Sequence, residues 1–258
     1  MRLIYPNWPT PLVHIGALST TRGSGLSGAP FDAGSGNRID EGGGLNLALH
    51  VGDDAATVIR NRALLRTFLP TEPSWLNQVH GTVVHHAHAV SDSAVPPIAD
   101  ASIATESGVV CAVMTADCLP VLLCDPRQKF VGAAHAGWRG LSGGVLQGTV
   151  SAMRAAGADE IWAWLGPAIG PDHFEVGEDV RTTFCQQQPA AVSAFIGIDG
   201  HPGKYLADLY LLARLALRSA GVTTVSGGDQ CTVCQRDDYF SFRRDQRCGR
   251  MASMIWLR

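Results

Sequence analysis

Three short segments of this chain each set a metal-binding or nucleophilic side chain among small and turn-forming residues. They are Asn77-Gln78-Val79-His80-Gly81, Ala116-Asp117-Cys118-Leu119-Pro120 and His135-Ala136-Gly137-Trp138-Arg139-Gly140. Two imidazoles and a thiolate, from His80, Cys118 and His135, suit zinc. Three protein ligands leave the fourth tetrahedral position open, which is the pattern of catalytic zinc. Copper accepts the same donors, so ligand type alone does not choose the metal. The three residues are scattered, with no CxxC or HxxxH among them. Cys118 and His135 also suit a metal-free Cys–His hydrolase, with Asp117 orienting the imidazole or tuning the thiol. The residues by themselves leave both chemistries open.

The elements that must position these groups are read from periodicity and turn chemistry. Strands are expected at 13–20, 83–90, 109–115, 121–124, 130–135, 161–165, 239–242 and 254–257. His80, Cys118 and His135 then fall at strand ends or tight turns, where a rigid sheet can hold catalytic groups. Helices are expected near 55–68, after Asp53 and Asp54, at 141–156 with Gly157 beyond its end, at 178–187, and at 206–220 before Gly221. Strands arrive in runs with helices between them. This predicts an α+β fold, a single domain over residues 1–258 with mixed sheets flanked by helices. Gly23-Ser24-Gly25-Leu26-Ser27-Gly28 formally matches GxGxxG, but Pro30 and more glycine follow instead of a helix, so it reads as a loop.

The motifs resemble those of the YfiH-like family, also known as the multicopper polyphenol oxidase or laccase-domain family. NQVHG, ADCLPVLL, HAGWRG and GPAIGPDHFEVG carry the resemblance. So do Ser19-Thr20-Thr21-Arg22, Leu45-Asn46-Leu47, Phe240 to Asp245, and Gly249-Arg250, so that it spans nearly the whole chain. The resemblance implies an α+β fold related in its core to a Cys–His toxin domain. It also implies a metal, usually zinc, on His80, Cys118 and His135. The activity it implies is purine nucleoside phosphorolysis: adenosine, inosine or methylthioadenosine plus phosphate gives the base and ribose 1-phosphate. Adenosine deamination accompanies that activity. Copper-dependent phenol oxidation and hydrolytic editing of peptidoglycan precursors are further activities connected with the family. Some relatives carry Cys-Cys where this chain has Asp172-His173, which removes thiols from any multicopper cluster here. A structural zinc in a non-enzymatic binding protein is a further alternative.

On this reading the substrates are a purine nucleoside and phosphate. Candidate catalytic residues are His80, Cys118, His135 and Asp117, with Glu175 the other carboxylate near the motifs. Candidate substrate-binding residues are Arg22, Asn46, Asn77, Arg139 and Arg243. Among the arginines, whose guanidinium forks match phosphate oxygens, Arg250 is a further candidate. Trp138 and Phe174 could stack on a purine. His85, His86 and His88 read as solvent-facing or supporting residues. Cys231-Thr232-Val233-Cys234 is a lone CxxC; with Cys248 it could hold metal, but without a fourth cysteine nearby it reads as unpaired thiols.

The totals frame these assignments. A 258-residue chain with 46% hydrophobic residues can bury a substantial core. A net charge of −3 offers no field for nucleic acid or an anionic membrane. The apolar run Val109–Cys124 is interrupted by Asp117 and Pro120 and is shorter than a membrane span. No signal peptide is indicated, and seven cysteines read as reduced thiols of a cytoplasmic protein. Oligomeric state is open.

Overall fold

The computed structural model describes residues 1–34, 42–88 and 95–258. The chain begins with β1 (Leu3–Ile4), β2 (Ile15–Thr20), α1 (Ala55–Arg66), β3 (Val84–His86) and β4 (Ala101–Ala104). Its centre holds β5 (Val110–Thr115), β6 (Leu119–Cys124), β7 (Val131–Ala136), α2 (Trp138–Gly143), α3 (Val145–Ala155) and β8 (Trp162–Leu165). Then follow β9 (Glu175–Gly177), α4 (Glu178–Gln187), a 3-10 helix (Pro189–Ala194), β10 (Phe195–Gly197), β11 (Lys204–Ala207) and α5 (Leu209–Ser219). The chain closes with β12 (Thr224–Gly227), α6 (Phe242–Asp245) and β13 (Met251–Leu257).

The strands form a four-stranded antiparallel sheet, β1-β2-β13-β5, and a six-stranded mixed sheet, β12-β8-β6-β7-β4-β3. A small antiparallel sheet, β10-β11-β9, stands beside them. This is the expected α+β fold.

Strand periodicity explains the layering. Along β5, Cys111 and Val113 pack with Leu122, Cys124, Val131 and Ala133 of the six-stranded sheet. The alternate residues Val110, Ala112 and Met114 pack with Leu45, Leu47, Leu65 and Trp75 on the side of α1. On the far face of the six-stranded sheet, Leu119, Val121, Leu123, Ala134 and Ala136 pack under the helices with Leu146, Val150, Leu212 and Leu217. Both sheets are covered on both faces, so β5, β6, β7 and β13 are buried at every position. Such strands read as continuous apolar runs rather than alternating ones. Each fully buried Val or Leu contributes about 1.5–3 kcal/mol.

Several sequence expectations change. The helix expected at 141–156 is two: Gly144 takes a left-handed φ of 95° between α2 and α3, and α2 begins earlier, at Trp138. The helix expected at 206–220 starts at Leu209, because Asp208 caps it through Leu211 N and the preceding residues pair as β11. The strand expected at 239–242 is absent. Tyr239 and Phe240 are buried in a loop, and Ser241 caps α6 by accepting from Arg244 N. The strand expected at 83–90 is confined to β3 among the described residues, and 89–90 lie outside them. The glycine-rich segment is a loop as expected. Gly25 and Ser27 bridge to Gly43 and Gly44, and Asn61 of α1 accepts from Leu26 N.

Candidate metal centre

Strand register brings the site together. In the β6–β7 pair Leu119 faces Ala136 and Pro120 faces His135, so the next pair outward sets Cys118 beside Gly137. Cys118 sits in the Ala116-Asp117-Cys118 turn that carries the chain from β5 in one sheet to β6 in the other. Asp117 adopts a φ of 91° in that turn. It is held there because Thr232 Oγ1 donates to Oδ1 at 2.6 Å and Arg243 N donates to Oδ2 at 2.6 Å. His80 comes from the turn before β3 and also has a positive φ, 60°. Such conformations cost energy in a non-glycine residue and persist only where surrounding contacts hold them.

Asp100, which precedes β4 and which the motif search missed, supplies those contacts. Its buried carboxylate accepts from Val79 N (3.2 Å), His80 N (2.9 Å) and Gly81 N (2.6 Å). It also meets His135 Nδ1 at 2.8 Å, while its carbonyl accepts from His135 N at 2.7 Å. One side chain thus fixes two of the three donors. Burial opposes the charge on Asp100, but the His135 ring and the backbone N–H groups outweigh it and hold the carboxyl below its ordinary pKa. With Nδ1–H directed at Asp100, His135 presents Nε2 to Cys118, the carboxylate–histidine arrangement that orients metal ligands. The signal in the sequence was an acid embedded in Ile98-Ala99-Asp100-Ala101-Ser102-Ile103-Ala104, where a carboxylate must be buried.

The donor atoms of His80, Cys118 and His135 all lie within 4.8 Å of one another. His80 Nε2 is 3.7 Å from Cys118 Sγ, and the two imidazoles meet edge to face at 4.8 Å between centroids. Burial opposes ionisation of Cys118, but His135 beside it and then His80 bring its thiol down to about 6. Burial likewise opposes the charge on His135, but Cys118 and Asp100 raise it to about 9. A Cβ on Gly137 would stand 2.9 Å from Cys118 Sγ and 3.0 Å from His80 Cδ2, so only glycine leaves room for the cluster. A soft donor set, an oriented imidazole and a cleared space fit a bound zinc or copper ion.

Two small cavities meet at this cluster, sharing Ala116, Cys118 and Phe242. One, of about 260 Å³, is walled by His50, Gln78, His80, His135, Met114 and Arg250. Burial, then Arg250 and Arg62, holds His50 below its ordinary pKa, which favours its neutral form. The other, of about 270 Å³, is walled by Asp117, Gly137, Trp138, Arg139, Phe174 and Arg243. Arg139 lies over the Trp138 ring at 4.4 Å and Arg243 over Phe174 at 5.6 Å. The sequence reading did not single out Gln78 and Phe242, although both lie in quoted motifs, nor His50, whose own segment carries none.

Other candidates are drawn elsewhere. Arg22 is buried and spends its guanidinium on Asp32 O, Asp32 Oδ1 and Arg236 O, which uses the fork an anion would need. Asn46 is fully buried; its amide donates to Ala48 O and Asp53 and accepts from Ala48 N and Arg250 N, so it supports Arg250 from behind. Asn77 is exposed, and the cavity wall takes Gln78 instead. Glu175 pairs with Lys204 at 3.3 Å. His88 pairs with Glu106, and His85, His86 and His88 stand outside the His80 cluster. Cys248 is buried away from the CxxC, against Tyr239, Phe240 and Met251.

Comparison with known proteins places this geometry. A family model described as multi-copper polyphenol oxidoreductase laccase matches residues 16–258. A purine nucleoside phosphorylase of Pseudomonas aeruginosa is 47% identical over 252 residues, covering 98% of this chain and 97% of that protein. Purine nucleoside phosphorylase YfiH of Escherichia coli is 47% identical over 258 residues, covering 99% of each. Among solved structures, a Neisseria meningitidis protein superposes with a TM-score of 0.87 at 48% identity, covering 99% of this chain and 98% of the other. YlmD from Geobacillus stearothermophilus superposes with a TM-score of 0.83 at 32% identity, covering 95% and 93%.

Proposed function

The chain belongs to the multi-copper polyphenol oxidoreductase laccase family, and within it we propose that the protein is a zinc-dependent purine nucleoside phosphorylase with adenosine deaminase activity. The observation that carries this is the His80–Cys118–His135 cluster at the junction of two cavities, one bearing aromatic rings under arginines, in a chain so similar to proteins named purine nucleoside phosphorylases. His80, Cys118 and His135 would hold the zinc. Zinc supplies Lewis acidity and acidifies water, which hydrolytic loss of the purine amino group requires.

The chain's own residues do the rest. Trp138, Phe174 and Phe242 offer ring faces and edges to a purine. Arg139, and Arg243 through the N–H groups not used in its bonds to His173 O and Glu175 O, present cationic donors to phosphate, whose oxygen attacks C1′ of the ribose while the C1′–N9 bond breaks and its electron pair leaves with the base. Asp117 acts as a positioning residue: with both oxygens already engaged, it fixes the backbone from which Arg243 projects. Arg22 and Asn46 serve the scaffold, and Arg250 with His50 takes their place at the cavity wall. No helix among the described residues is long and apolar enough to cross a membrane, and all seven cysteines are free thiols. We therefore place the reaction in a reducing compartment, the cytoplasm.

The test is adenosine or inosine turnover by zinc-loaded protein, with and without phosphate, in wild type and Cys118→Ala. Phosphate-dependent release of base and ribose 1-phosphate, lost in the variant, is expected. No turnover of either nucleoside by metal-replete wild type refutes the proposal. Loading with copper in place of zinc, read by oxygen uptake on phenols, tests the oxidase chemistry in the family's description.

One observation favours a second reading. Cys118, His135 and Asp100 are arranged as thiol, imidazole and carboxylate, the constellation of cysteine hydrolases. That reading requires hydrolysis of a small amide, which could include a peptidoglycan precursor, to survive chelation of all metal.

A further inference from the structure

The lone CxxC of the sequence does not stand alone in the fold. Cys231 pairs across a bridge with Ala168, and Thr232 N donates to Ala168 O at 3.0 Å. This register lays the Cys231–Cys234 turn against the Gly170–His173 turn. His173 Nε2 then reaches to 3.0 Å from Cys234 Sγ. The donor atoms of His173, Cys231 and Cys234 all lie within 4.8 Å of one another, a cluster distinct from that of His80, Cys118 and His135. The third ligand is therefore a histidine from a different turn. The cysteine that spacing had offered, Cys248, packs elsewhere.

The surroundings of Cys231 suit a metal-bound thiolate. Gly170 N and Cys234 N both donate to its sulfur at 3.4 Å. A Cβ at Gly170 would press to 3.0 Å from Sγ and 3.1 Å from Cβ of Cys231, so glycine is needed for the approach. Tetrahedral zinc, with Zn–N of about 2.0–2.1 Å and Zn–S of about 2.3 Å, sets its ligand atoms roughly 3.5–3.8 Å apart, so the cluster needs only small side-chain shifts.

We propose that His173, Cys231 and Cys234 form a second binding site for a soft divalent metal ion of the zinc class, with water or the adjacent Asp172 carboxylate in the fourth position. Its ligands bracket the wall of the substrate cavity. Thr232, between the two cysteines, donates to Asp117, and Arg243 donates to His173 O at 3.1 Å. A metal here ties the two turns that hold Asp117 and Arg243. The site shares no ligand with the first, so its failure and that of the proposed reaction are separate outcomes.

The test is metal stoichiometry in the full-length protein. Reduced protein is stripped with chelator, reloaded with zinc or cobalt, desalted and measured by mass spectrometry, with thiolate-to-cobalt absorption recorded alongside. Two equivalents are expected in wild type, and one each in Cys118→Ala, Cys234→Ser and His173→Ala. The equivalent retained by Cys118→Ala should carry the absorption of two thiolates, and that retained by Cys234→Ser the absorption of one. Cys234 and His173 are exposed, so their variants keep the core intact, which circular dichroism checks. A wild type that binds one equivalent, or a Cys234→Ser protein that still binds two, overturns the assignment.

Discussion

Asp100→Asn is the most informative single perturbation of the His80–Cys118–His135 candidate metal centre. The side chain keeps its size at a fully buried position but loses its charge and one acceptor. The native carboxylate receives three backbone N–H groups from the His80 turn and one ring N–H from His135. A carboxamide offers one oxygen and an NH₂ group, so either the His80 turn or the His135 ring faces a donor where it had an acceptor. A hydrogen bond to a charged group contributes about 1.5–3 kcal/mol. Loss of the partner that orients a metal-bound histidine typically costs about 10–100-fold in metal affinity. At about 1.4 kcal/mol per decade these two estimates agree. Zinc affinity measured by competition with a chromophoric chelator should therefore fall about 10–100-fold, with a lower Tm of the metal-free protein. A zinc affinity within twofold of wild type would show that Asp100 does not orient the donors, and the reasoning would fail.

The remaining predictions use the same geometry. Gly137→Ala places a methyl 2.9 Å from Cys118 Sγ and should weaken zinc binding at least tenfold while leaving secondary structure unchanged by circular dichroism. In metal-free protein, the stability from Cys118, whose pKa is lowered from 9.0 to about 6, is complete above 9.0 and lost as pH falls through about 6. That from His135, raised from 6.5 to about 9, is complete below 6.5 and lost as pH rises through about 9. The thiolate–imidazolium pair therefore spans about pH 6 to 9, and iodoacetamide alkylation of Cys118 should be half-maximal near pH 6 and move to higher pH in His135→Ala. Arg243→Ala should raise KM for phosphate about tenfold or more, the value of a charge-assisted hydrogen bond. Arg22→Ala should instead lower stability by about 1–3 kcal/mol in urea unfolding with KM for phosphate unchanged, because it removes a buried side chain and strips two part-buried carbonyls of their donor.

How far the sequence could be read depended on where each signal is stored. Expected strands at 109–115 and 130–135 became β5 and β7 nearly residue for residue, because an apolar run between turn residues is a local signal. Tyr239 and Phe240 were misread as strand for the complementary reason. Their aromatic character reports burial, but burial here is in a loop, and Ser241 starts a helix. The three donors of the first site could be named because each sits in a short motif of small residues. Arg22 and Asn46 sit in comparable motifs yet turn inward to backbone carbonyls, and a motif does not say which way its polar atoms face.

What the sequence by itself determined is the inventory: an α+β chain, covered strands, and His80, Cys118 and His135 as candidate donors. What only the tertiary structure decided is which groups meet. Asp100 joins His80 and His135 across 20 and 35 residues, and His173 joins Cys231 and Cys234 across about 60, through the pairing of segments far apart in the chain. The physical reason is that hydrogen bonding and metal ligation act over about 2–4 Å. Contacts of that range between distant residues are set by strand register and loop closure, and neither is written in any local stretch of the chain.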